Sequence, residues 1–102
     1  MGISIKFNEY EVNLEETGLM ELRTLDEEIW EEIEDIYDGV NRRWEKEKHS
    51  FNMRGNHEIE TTTYKTQVEL PSIHKEKKAE LTKTETYDKY TGSLHILIME
   101  VQ

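Results

Sequence analysis

Apolar residues in this 102-residue chain follow two periods, one of two residues and one near 3.6. At the N-terminal end, "ISIKF" puts Ile3, Ile5 and Phe7 on one side of an extended chain. "YEVNL" does the same with Tyr10, Val12 and Leu14. Alternation of this kind reads as half-buried strand. The phase switches at Asn8-Glu9, which a tight hairpin turn or a β-bulge would produce. The hairpin is the reading adopted.

"EETGLMEL" reads as a connector containing Gly18. From Leu25 the period lengthens. Leu25, Ile29, Ile33, Ile36, Tyr37, Val40 and Trp44 recur at three- and four-residue spacing. They form a core-facing stripe about 120° wide on a helical wheel. Thr24 at the N-cap with Glu27 three residues on makes a capping box. Asp26, Glu27 and Glu28 suit the positive end of the helix dipole. Gly39 could end this helix at Asp38. Val40 and Trp44 keep the phase, however, and Arg42, Arg43, Lys46 and Lys48 suit a C-terminal turn. The pattern therefore predicts one helix from Thr24 to about Lys48, bent at Gly39.

"SFNMRGNHE" reads as a loop. "EIETTTYKTQVEL" is rich in β-branched residues and predicts a strand from about Glu58 to Leu70, stopped by Pro71. "SIHKEKK" is a polar connector. The last segment predicts a hairpin turning near Lys89–Gly92. Its second arm, Leu94 to Val101, is the most apolar strand, which places it centrally. The expected fold is a single α+β domain over residues 1–102. An antiparallel sheet of about five strands would carry one long amphipathic acidic helix on one face.

Composition narrows the function. Charged residues reach 35% and hydrophobic ones 34%, yet the periodic apolar runs point to a folded chain. The absence of cysteine excludes disulfides, thiolate metal sites and cysteine nucleophiles. No stretch reads as a signal peptide or approaches the roughly 18 apolar residues of a membrane span. The expected location is cytoplasmic, without membrane contact.

The formal charge is −10, placed unevenly. From Glu9 to Asp38 thirteen acids face only Arg23. Eight carboxylates stand between Asp26 and Asp38 with no Lys or Arg among them. On the expected helix Glu27, Glu31, Glu34 and Asp38 cluster opposite the apolar stripe, with Glu28, Glu32 and Asp35 beside them. Glu27–Glu31, Glu28–Glu32, Glu31–Asp35 and Glu34–Asp38 would be like-charge pairs four residues apart, each costing about 0.2–0.5 kcal/mol at low salt. Faces selected for solubility interleave lysines. Such a face is either simply solvated or meets a basic partner. On the second reading the candidate partner-binding residues are Glu27, Glu28, Glu31, Glu34, Asp35 and Asp38, with Trp30 as an aromatic anchor at their edge, the alternative for Trp30 being that it caps the core with Trp44. A chain of this charge is not expected to bind nucleic acid directly. The expected partner is a protein with a basic surface.

Other chemistry is weakly represented. His49, His57, His74 and His95 match no metal-ligand spacing. "RGNHEIE" could bring Arg54, His57 and Glu60 together as an acid–base set, but there is no phosphate loop or nucleophile motif. No metal, cofactor or catalytic activity is expected. "TTTYKT" and "LTKTETY" offer a polar sheet face or an edge strand as alternative docking surfaces.

In size, acidity and lack of catalytic motifs the chain is similar to small inhibitors of nucleic-acid enzymes, such as phage-encoded anti-defence proteins and anti-CRISPRs. It is equally similar to toxin-neutralising immunity proteins. This is a resemblance of character rather than motif. It implies a non-enzymatic inhibitor that occludes a basic surface. An immunity protein or antitoxin, or an assembly subunit of a larger particle, are the alternatives.

Overall fold

The computed structural model describes residues 3–71 and 77–102. Five strands and one helix follow in the order β1 (Ser4–Asn13), α1 (Leu19–Ile36), β2 (Glu45–Arg54), β3 (His57–Leu70), β4 (Lys77–Asp88) and β5 (Ser93–Val101). The strands form one antiparallel sheet in the order β1-β5-β4-β3-β2. The helix covers one face, so the fold is α+β with two layers and measures 52 × 33 × 19 Å. β5 lies inside the sheet, as its apolar sequence requires, and β4 takes the middle position.

The N-terminal phase switch is a bulge within one strand rather than a hairpin. The register of β1 against β5 shifts between Lys6 and Asn8, with Phe7 the extra residue. One inserted residue reverses which side chains face the core, as the sequence pattern requires. The next deviation is at the start of α1. Gly18 occupies the N-cap position, and the Thr24 hydroxyl, well inside the helix, donates to the Met20 carbonyl at 2.9 Å. Thr24 is thus not a cap. Upstream of it Leu22 already shares the helical spacing of Leu25 and Ile29.

The helix also ends earlier than its pattern suggests. Tyr37 is extended, and its N–H donates to the Ile33 carbonyl at 2.9 Å. Asp38 and Glu69 then exchange backbone hydrogen bonds of 2.9 and 2.8 Å, tying the chain to β3. Gly39 follows at φ +65°, and a Cβ there would stand 3.0 Å from the Glu69 side chain. The positive φ and the close approach to Glu69 both favour glycine, and the helix has already ended at Ile36, so Gly39 marks a reversal and not a bend within a helix. Residues 45–54, read from sequence as helix end and loop, form β2. The Gly55-Asn56 turn, with Gly55 at φ +64°, pairs Arg54 with His57 and starts the β2–β3 hairpin. The number of strands matches expectation for a compensating reason: the N-terminal pair is one strand, and β2 is added. Of the connector read over 72–78, residues 72–76 lie outside the described residues, and Lys77 and Lys78 belong to β4.

Ile29, Trp30 and Ile33 pack from the helix onto Val68, Ala79, Leu81, Ile96 and Ile98, with Tyr37 completing the cluster. Leu25, Val40 and Trp44 support its rim. Ile36, assigned to the buried stripe by the wheel, is 51% exposed because the chain leaves the helical path immediately after it. The Tyr37 hydroxyl donates to the buried Glu100 carboxylate, which Gln102 also reaches. Burial and the Glu100 charge push the Tyr37 phenol well above its ordinary range.

Ile33 has no exposed surface, so Ile33→Ala should destabilise by about 2–5 kcal/mol, whereas Ile36→Ala should stay within about 0.5 kcal/mol of the parent. Thermal and denaturant melts of both variants check the assigned helix face. Equal losses would place both side chains in the core.

Candidate protein-binding surface

Six of the eight acids of α1 separate into three groups once the chain is folded; Glu21 and Asp26, nearer its start, are exposed and stand outside them. Glu32 turns toward the sheet. It accepts hydrogen bonds from the Tyr10 hydroxyl and from Asn8 Nδ2, the latter at 3.0 Å. Burial and the Glu32 carboxylate raise the Tyr10 phenol strongly. Glu32 is therefore part of the attachment between helix and β1.

Glu27 and Glu34 form the second group. Arg42, in the segment that folds back after the helix, lies at 2.9 Å from Glu27. Its guanidinium also holds Glu34 through Nε at 3.0 Å and through its second terminal nitrogen at 2.6 Å. The fork matches a carboxylate geometrically, and α1 has no basic residue in its last turn. Arg42 supplies the missing cation from outside the helix. Its contact holds the Glu34 carboxyl below the usual range. The backbone of Arg42 takes a left-handed conformation, φ 54°, to place the side chain there. Sequence spacing alone cannot reveal this partner, because it depends on the helix ending at Ile36.

Glu28, Glu31 and Asp35 form the third group. All three are exposed on α1, and no ion pair or side-chain hydrogen bond involves them among the described residues. They form one continuous row along the helix that the fold leaves for solvent or a partner. Asp38 is exposed as well, but it lies beyond the helix, so Glu34–Asp38 is not a helical pair. Trp30 leaves the candidate surface altogether. It is 4% exposed and stacks on Trp44 with ring centroids 4.8 Å apart. The Lys83 ammonium sits 4.9 Å from the Trp44 ring and 4.6 Å from the Tyr64 ring, and pairs with Glu85 at 3.1 Å. The aromatic anchor expected at the acidic edge is a core element.

The acid–base set suggested by "RGNHEIE" does not assemble. His57 and Glu60 stand on opposite faces of β3, an odd number of residues apart. Glu60 pairs with His49 at 3.1 Å. His57 Nδ1 meets Asp88 at 2.8 Å, under the ring of Tyr90 at 4.5 Å. Burial pushes the Asp88 carboxyl up. The His57 contact and the N–H groups of Thr91 and Tyr90 outweigh this and hold it below the ordinary aspartate value. This group closes the β4–β5 turn. Among the described residues no cluster of His, Asp and Glu side chains is placed to hold a metal ion.

On the face opposite the helix, Thr61 pairs with Thr86 and Thr63 with Thr84 across β3 and β4. His95 there lies 2.9 Å from Glu9. Among the described residues no second layer covers this face. No helix of the described residues is long and apolar enough to cross a membrane.

Three outcomes follow from the charges. Glu31→Lys relieves Glu27–Glu31 and Glu31–Asp35, so it should raise stability by about 0.2–0.5 kcal/mol per pair at low salt, with the gain fading as salt rises. Glu34→Lys should lower stability, because it sets a second cation against Arg42. Melts of the two variants at two salt concentrations check the opposite signs. Asp88 has a folded pKa below its unfolded value near 3.8, so its contribution is present above that value and is lost as pH falls through the folded one. Asp88→Asn should flatten the acid limb of a stability profile measured between about pH 5 and 2.

The chain matches no family model, no curated protein and no solved structure.

Proposed function

We propose that the protein is a non-enzymatic binding protein whose acidic helix engages a basic, nucleic-acid-binding surface of another protein and so blocks it. The observation that carries this reading is the row Glu28, Glu31 and Asp35, exposed and without a basic partner among the described residues. Like charges four residues apart cost helix stability, and Asp35 adds a charge near the negative end of the dipole. The fold relieves Glu27 and Glu34 with Arg42 but leaves this row uncompensated. A basic partner would relieve it. Acidic side chains can stand in for phosphates against such a partner, and long-range attraction would speed the encounter. This is the character of anti-defence inhibitors of nucleic-acid enzymes.

The test is affinity capture from the source cell's lysate at low and high salt, with the parent chain and with Glu28→Gln, Glu31→Gln and Asp35→Asn combined. The parent should retain a basic protein at low salt and lose it as salt rises, and added duplex DNA should compete. The triple variant should fold as the parent does and bind at least about tenfold more weakly, a loss of about 1.4 kcal/mol. Undiminished capture by a folded triple variant would move the contact away from the helix, to the threonine-rich face.

A further inference from the structure

The two edges of the sheet differ. β1 carries Glu9 and Glu11 against Lys6, whereas β2 carries Lys46, Lys48 and Arg54 against Glu45 and Glu47. In a chain of charge −10, β2 is therefore the edge where two copies repel least. β2 is also exposed at all ten positions. Its first half carries the usual protections of a free edge, Lys46, Lys48 and a register shift between them. Its second half, Ser50 to Met53, carries none. There Phe51 is 54% and Met53 61% exposed, both on the helix side of the sheet.

The backbone of that half is open to pairing. The two-residue turn closes on Arg54 and His57, and hydrogen-bonded pairs alternate from there. The N–H and C=O groups of His49, Phe51 and Met53 consequently point away from β3. The Met53 N–H, lacking a strand partner, takes a bond from its neighbour's side chain: it donates to Asn52 Oδ1 at 2.9 Å.

We propose that the protein self-associates through β2, two copies pairing antiparallel about Asn52 and continuing the sheet across the contact. The register follows from side-chain chemistry. With Asn52 opposite Asn52, Phe51 of each copy faces Met53 of the other, a favourable sulfur–aromatic pairing that covers both exposed apolar side chains. Ser50 faces Arg54, and no like charges meet. Centring on Phe51 instead would set Lys48 against Arg54. Centring on Ser50 would set Met53 against Glu47. Registers shifted by an odd number would oppose side chains from different faces of the sheet. The two-fold axis stands normal to the sheet, so both acidic helices lie on the same face of a ten-stranded platform. This self-association does not rest on the proposed function.

Sedimentation equilibrium of the full chain from about 10 μM to 1 mM tests it, the range expected for a contact this small. The mass should rise from 12.2 kDa toward twice that value. Met53→Pro removes an outward N–H, which an edge strand tolerates, and should stay monomeric with an unchanged circular dichroism spectrum. Phe51→Lys should weaken association at least about tenfold, and Phe51→Lys combined with Met53→Glu should restore it, since the new charges face each other in this register alone. Hydrogen exchange should slow at the Phe51 and Met53 amides as concentration rises. A chain that stays monomeric throughout overturns the proposal. So does a dimer that survives Phe51→Lys and a folded Met53→Pro, a double variant that fails to recover, or protection appearing along β1 instead.

Discussion

The stack of Trp30 on Trp44 holds the reversal on which the rest of the molecule depends. Trp30 belongs to the helix, and Trp44 immediately precedes β2. Their contact requires the chain to leave the helix at Ile36, turn at Gly39 and come back along the sheet. The Asp38–Glu69 backbone pair fixes the turn from the other side. Lys83 completes the arrangement. It is 7% exposed, and a charge so placed is costly unless it is paired. Here the Trp44 and Tyr64 rings and the Glu85 carboxylate surround it. The aromatics and the ion pair thus lock two strands, the segment entering β2 and the helix into one relation.

That reversal also decides the electrostatics. A helix continued through Lys48 would have placed Arg42 four residues beyond Asp38 on the same face. The actual path carries Arg42 back beside Glu27 and Glu34, where its forked guanidinium matches both carboxylates. The acidic ladder is thereby divided into a compensated part and the uncompensated row of Glu28, Glu31 and Asp35. Exposed pairs of this kind contribute little to stability, so the effect of Arg42 on the fold is small and its effect on the available surface is large.

The same path frees β2. Had residues 45–54 been helix, the sheet would end at β3. Instead β2 adds an exposed edge whose outer half combines unpaired backbone groups with Phe51 and Met53. An acidic helix face and an apolar, weakly basic strand edge lie at separate places on one small domain. In the proposed roles the first meets a basic protein and the second another copy of the chain.

The sequence by itself determined the α+β class, the long strand of residues 57–70, the β4–β5 hairpin and the buried positions of Ile29 and Ile33. These follow from short-range periodicity and turn chemistry, which local residues carry in full. It also determined that the acids of α1 crowd one side of a helix. Only the tertiary structure decided where that helix stops, that "EKEKHSFNMR" is a strand, and that Trp30 is core. Glu and Lys favour helix locally, and Trp44 keeps the helical phase by coincidence of spacing. Pairing with β3 through the Gly55-Asn56 turn overrides that preference, because a strand gains its hydrogen bonds and cross-strand contacts only from residues distant in sequence. The division of the acidic face by Arg42 has the same origin: the partner lies eight and fifteen residues away, at separations no helical repeat brings together.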